Sequence, residues 1–132
     1  MGAHKPGYKP TEAELEFIRK SYDHCAAFLN ICGGIIPAER AGVLKGKTCT
    51  APRGLLASLR EQSPETNWVE KRYQQDGKIW TSGALLNGLD MMRAFVTHTW
   101  GNEGPGAIAQ FLLQLGHFPT RDNDYKDGPN QL

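Results

Sequence analysis

The 132 residues carry 15 Lys and Arg against 14 Asp and Glu, a net charge of +1, with 39% hydrophobic and 22% charged residues. A chain of that length makes one domain at most, and its composition is that of a folded protein rather than a disordered one. The balanced charge argues against a nucleic-acid surface, no apolar run reaches the length of a membrane helix, and Met1-Gly2-Ala3-His4-Lys5-Pro6 contains no apolar signal-peptide core.

Cys25, Cys32 and Cys49 stand in no Cys-x-x-Cys spacing. Neither a metal site nor a disulfide framework is therefore expected. No cofactor is implied, and reduced thiols point to the cytoplasm.

Residues 1–10 read as a Gly/Pro-rich loop. Thr11 and Glu14 then form a capping box for a helix over residues 12–24, with Leu15, Ile18, Tyr22 and Cys25 at helical spacing. Residues 26–32 read as a strand, apolar enough to be central and covered on both faces. A short helix from Ile35 to Ala41 stops at Gly42. Thr48 to Ala51 is a short strand, and Pro52 opens a helix carrying Leu55, Leu56 and Leu59. Asn67 to Tyr73 and Lys78 to Thr81 read as two strands joined by a reversal at Asp76-Gly77. A long helix from Ala84 to Thr99 is expected to bury Leu85, Leu89, Met92 and Val96, with Gly88 in a close packing contact. Ile108, Phe111, Leu112 and Leu115 mark a last helix, and residues 117–132 a polar tail. Helix and strand alternate as in α/β proteins with a mainly parallel sheet.

The stretch that carries chemistry is Phe28-Leu29-Asn30-Ile31-Cys32-Gly33-Gly34-Ile35-Ile36. It reads as a strand that turns sharply into a helix with Cys32 at the bend. A side chain there projects from the carboxyl edge of the sheet, where open α/β sheets bind ligands. The following helix start favours a thiolate over a thiol, and glycine N–H groups can approach a substrate oxygen. The competing reading is a buried core thiol. His24, His98 and His117 read as helix-end residues, Asp90 as a structural or interface residue, Cys49 as core, and Trp68, Trp80 and Trp100 as packing.

The sequence resembles the ThiJ/PfpI superfamily, the class I glutamine-amidotransferase-like group that includes isonitrile hydratases. Ile31-Cys32-Gly33-Gly34 followed by Ala38-Glu39-Arg40-Ala41-Gly42-Val43-Leu44-Lys45-Gly46-Lys47 is similar to the family's elbow and its continuation. Asp76-Gly77-Lys78-Ile79-Trp80-Thr81-Ser82-Gly83 with Asn87-Gly88-Leu89-Asp90 is similar to the strand, active-site loop and helix that follow, and Met1-Gly2-Ala3 falls at an early Pro-Gly-Gly turn. The resemblance implies a partial flavodoxin-like three-layer α/β/α sandwich, with a mainly parallel sheet and its N-terminal strands missing. Residues 1–116 would be the C-terminal part of a ThiJ/PfpI-like domain.

It also implies a metal-independent cysteine hydrolase or hydro-lyase acting on a small carbonyl- or nitrile-like substrate. Cys32 would be the nucleophile, and the N–H groups of Ala3 and Gly33 the oxyanion donors. Gly2, His4, Gly34, Ser82 and Gly83 would line the pocket. His4 stands either in the site or in a solvated loop. The register in which many members have a histidine gives Pro52 here. Two alternatives follow: a truncated or pseudo-enzymatic module that binds a ligand or partner, and a thiol redox sensor. The implied partners are a small molecule and either a second copy or a complementing chain, with neither nucleic acid nor membrane.

Overall fold

Thr11 opens the first helix, α1 (Glu12–His24), with the expected capping box. The Glu14 N–H donates to Thr11 Oγ1 at 3.3 Å and the Thr11 N–H donates to Glu14 Oε2 at 2.7 Å. The Thr11 N–H bond, joined by ones from the Tyr8 and Thr11 hydroxyls, holds the Glu14 carboxyl below the usual carboxylate range. The structure, a computed structural model, describes residues 7–101 and 106–126. The sequence candidates Gly2, Ala3 and His4 lie outside the described residues.

After α1 come β1 (Phe28–Ile31), a 3-10 turn (Cys32–Gly34), α2 (Ile35–Arg40), β2 (Thr48–Cys49) and α3 (Arg53–Gln62). Then follow β3 (Asn67–Trp68), β4 (Tyr73–Asp76), β5 (Ile79–Ser82), α4 (Asn87–Trp100) and α5 (Gly106–Leu115). Among the described residues no helix is long and apolar enough to cross a membrane.

The sheet corrects the expectation of a mainly parallel, flavodoxin-like one. It is mixed, with strand order β1-β5-β4: β1 and β5 run parallel, and β4 runs antiparallel to β5. A two-residue connection, Gly77-Lys78, joins the paired residues Asp76 and Ile79. So short a link joins only antiparallel strands, and Gly77 supplies the positive φ of +59° that such a turn needs. β2 and β3 form a separate parallel pair.

A second correction concerns rank within the sheet. The apolar β1 is an edge strand among the described strands, and β5, buried along its whole length, is central.

Alternation along β1 and β5 builds three layers. Phe28 and its register partner Ile79 face a core of Ile35, Ala38, Leu44, Cys49, Leu56 and Trp68. Residues at the alternate positions, Ile31 and Trp80, face α4: Trp80 meets the Phe95 ring edge-on at 5.5 Å, and Ile31 packs on Gly88. A Cβ on Gly88 would stand 3.1 Å from Ile31 Cγ2, so the expected close contact is present.

The buried face of α4 differs from expectation. Asn87, Gly88, Asp90 and Met91 are buried, whereas Leu85 is 72% and Leu89 43% exposed. Close packing at Gly88, together with polar partners for Asn87 and Asp90, turns the helix away from its leucine stripe. The apolar face of α5 is likewise exposed at Ile108, Phe111, Leu112 and Leu115, and only Leu113 of these neighbours is buried.

Candidate functional site

β1 ends at Ile31, and the next residue, Cys32, has φ +54°. An L-residue rarely adopts that left-handed conformation, and strain of this kind costs about 1–3 kcal/mol. The bend is sharp because Cys32 already belongs to the 3-10 turn whose carbonyls, with Gly33, accept from the Ile35 N–H. Gly33 and Gly34 are buried within that turn, and Cys32 itself is half-buried.

Ile31 pairs with Ser82, the last pair of the register, so the Cys32 bend and Gly83 both follow directly from the same end of the β1–β5 ladder. Ser82 is buried, and its hydroxyl donates to the Asn30 carbonyl at 3.5 Å. The loop after β2 joins them: the Thr50 N–H donates to Thr81 Oγ1 at 2.8 Å, and the Ala51 carbonyl lies 3.6 Å from a Cβ built on Gly83. Three strand ends thus meet at one place.

Sequence reasoning missed what closes this place. The Tyr125 hydroxyl and Asn87 Nδ2 each lie 2.8 Å from where a Gly83 Cβ would be. The Asn87 amide donates to that hydroxyl, which itself donates to the Lys71 carbonyl at 3.4 Å. Arg72 and Arg53 stand over the Tyr125 ring, 4.5 Å and 5.2 Å from its centroid. Burial raises the Tyr125 pKa against the lowering effect of Arg72.

Residues 122–124 are bound alongside. Arg72 Nε donates to the Asp122 carbonyl at 2.8 Å, the Tyr73 N–H donates to Asn123 Oδ1 at 3.0 Å, and Lys71 pairs with Asp124 at 2.8 Å. Of the segment read as a polar tail, residues 122–125 are therefore docked. Its one sequence signal was an aromatic among turn-forming Asp and Asn residues.

The three thiols differ. Cys49 is fully buried, and burial, then the Asp76 carboxylate, pushes its pKa up to about 12. Cys25 caps α1, its Sγ 3.5 Å from the Tyr22 carbonyl. No described side chain hydrogen-bonds the Cys32 sulfur. Pro52 starts α3 and offers no proton-transfer group. His98 packs against Trp80, while His24 and His117 sit at the ends of α1 and α5. Among the described residues no three His, Cys, Asp or Glu side chains gather as metal ligands.

This is an open α/β domain with a cysteine held at a strained strand-to-helix bend. Residues 2–98 match the DJ-1/PfpI family, and the chain belongs to it. An AraC family transcriptional regulator from Pseudomonas putida is similar at 22% identity and TM-score 0.64, over 80% of this chain and 57% of that one. Drosophila melanogaster DJ-1beta is similar at 16% identity and TM-score 0.65, over 80% and 53%. A ThiJ/PfpI family protein from Pseudomonas syringae is similar at 19% identity and TM-score 0.65, over 90% and 46%. The chain spans about half the length of these solved relatives. No curated protein matches the sequence.

Proposed function

We propose that the protein is a cysteine-dependent hydrolase or hydro-lyase acting on a small carbonyl- or nitrile-like substrate, with Cys32 as nucleophile. The observation that carries this reading is the positive φ of Cys32 at the end of β1. Backbone strain of that kind gathers at functional sites, and it is the conformation that lifts a nucleophile out of a strand-to-helix turn. For an ester the thiolate adds to the acyl carbon and the C=O pair moves onto oxygen, where the Gly33 N–H would donate to it. Collapse forms a thioester and expels a leaving group that takes a proton from water. A second water hydrolyses the thioester and restores the thiol.

Purified protein assayed on an activated ester, an α-oxoaldehyde and an isonitrile tests this. Turnover should appear with one class and vanish in Cys32→Ala. Turnover that survives the substitution, or none from folded protein, defeats the reading.

A ligand-binding module without turnover is the second reading. It is favoured by Pro52 and by the lack of a described acid–base partner on the sulfur. The redox-sensor form of it requires peroxide to modify Cys32 selectively. Association with a second copy accompanies either reading, supported by the exposed apolar face of α5 and the edge position of β1. A monodisperse monomer in size-exclusion chromatography would count against it.

A further inference from the structure

The opposite face of the sheet holds a cavity of about 580 Å³, walled by β4, β5, α4, α5 and residues 119–121. That size suits a small organic molecule. Its charges are unequal. Asp90, 3% exposed, is neutralised by Arg121, whose Nε lies 3.2 Å from Oδ1 and whose Nη2 pairs with Oδ2. Arg93 has no such counter-charge: its contact is a 3.4 Å hydrogen bond from Nη1 to the Pro119 carbonyl, and no described carboxylate pairs with it. A guanidinium has five N–H donors in a planar fork that matches a carboxylate.

Arg93, Gln110 and Thr120 also line a neighbouring cavity of about 250 Å³. The cation therefore stands on a wall shared by two spaces. Beside it, Gln110 Nε2 donates to Thr97 Oγ1 at 3.3 Å, leaving the amide oxygen and the threonine hydroxyl proton for other partners. Trp80 and Ala94 supply the apolar surface.

We propose that this cavity binds a small organic acid, its carboxylate on Arg93 and its apolar body beside Ala94 and the exposed edge of Trp80. The site is separate from the bend at Cys32, which is not among the described residues that line the cavity.

Titration of the full chain with phenylacetate, followed by calorimetry and by amide shifts in NMR, tests the proposal. Phenylacetate should bind saturably and shift Tyr73, Trp80, Thr97 and Thr120. Phenylacetamide, of the same shape without the charge, should bind at least about tenfold more weakly, and Arg93→Gln should lose a similar factor for the acid. Arg93→Lys, which keeps the charge, should bind phenylacetate more tightly than Arg93→Gln. The melting of each variant shows that it folds, and if Arg93→Gln does not, the acid–amide comparison on the unmodified chain decides. The proposal is overturned by an absence of saturable phenylacetate binding at about 10 mM, by equal binding of acid and amide, by equal binding of the acid in folded Arg93→Gln, or by shifts confined to other residues.

Discussion

The Asn87 amide donates to the Tyr125 hydroxyl at 2.8 Å, joining the first turn of α4 to a residue 38 positions further along the chain. Around that bond lie Gly83, Arg53 and Arg72, directly beside the bend that holds Cys32.

Tyr125→Phe keeps the ring beneath both guanidinium groups and removes the hydroxyl. The Asn87 amide then loses its acceptor, so stability should fall by about 1–3 kcal/mol. Urea unfolding measures the loss. A neutral result would mean that water replaces the hydroxyl at no cost.

Gly83→Ala places a Cβ 2.8 Å from both members of that pair. Overpacking should cost about 1–3 kcal/mol. Gly54→Ala, in α3 with no atom within 4 Å of its Cβ, should instead stabilise by up to about 1 kcal/mol. Thermal melts of the two variants should move in opposite directions.

Arg121→Leu strips the guanidinium from a buried carboxylate. Breaking such a pair from one side costs about 3–5 kcal/mol, and replacing both partners costs far less. Asp90→Leu combined with Arg121→Leu should therefore recover most of the stability lost in Arg121→Leu. Chemical denaturation of the single and double variants checks this.

Cys32→Gly relieves the left-handed strain and should raise stability by about 1 kcal/mol, while removing the group on which the proposed chemistry depends. In the unmodified protein, limiting iodoacetamide should label Cys32 ahead of Cys25 and Cys49. Peptide mapping gives the order of labelling. Faster modification of Cys49 would contradict its burial.

The raised Cys49 pKa fixes the sign of an alkaline effect. The folded thiol ionises near 12, against an ordinary value of 9.0. Below about 9 both folded and unfolded chains keep it neutral, so its contribution to stability is fully present. Between about 9 and 12 only the unfolded chain loses the proton, and stability falls by as much as about 4 kcal/mol. Cys49→Ala should start about 1 kcal/mol less stable and show a shallower alkaline fall. Unfolding curves across that pH range measure both slopes.

Local chemistry was legible in the sequence wherever one turn decides the outcome. The Thr11–Glu14 box, the bend at Cys32, the reversal at Asp76-Gly77 and the close packing at Gly88 all depend on residues a few positions apart or on the absence of a side chain. Long-range polar pairing was not legible. Asp90 reads as a structural or interface residue, but its partner Arg121 and the Tyr125 partner of Asn87 arrive from 31 and 38 residues away, beyond any local pattern. Those partners turn α4 so that Leu89 faces outward. The same limit applies to β1: an apolar strand looks central, but its position depends on which strands pair with it, and the described sheet places it at the edge.

Residues 119–126 give the family match a practical meaning. The family match ends at residue 98, yet Asp90 and Asn87, both inside the matched stretch, depend on Arg121 and Tyr125 beyond it. A gene trimmed to the matched stretch would encode a buried anion without its cation and a buried amide without its acceptor. The boundary of the family match and the boundary of cooperative folding are different places in this chain, and the second lies at least as far as Tyr125.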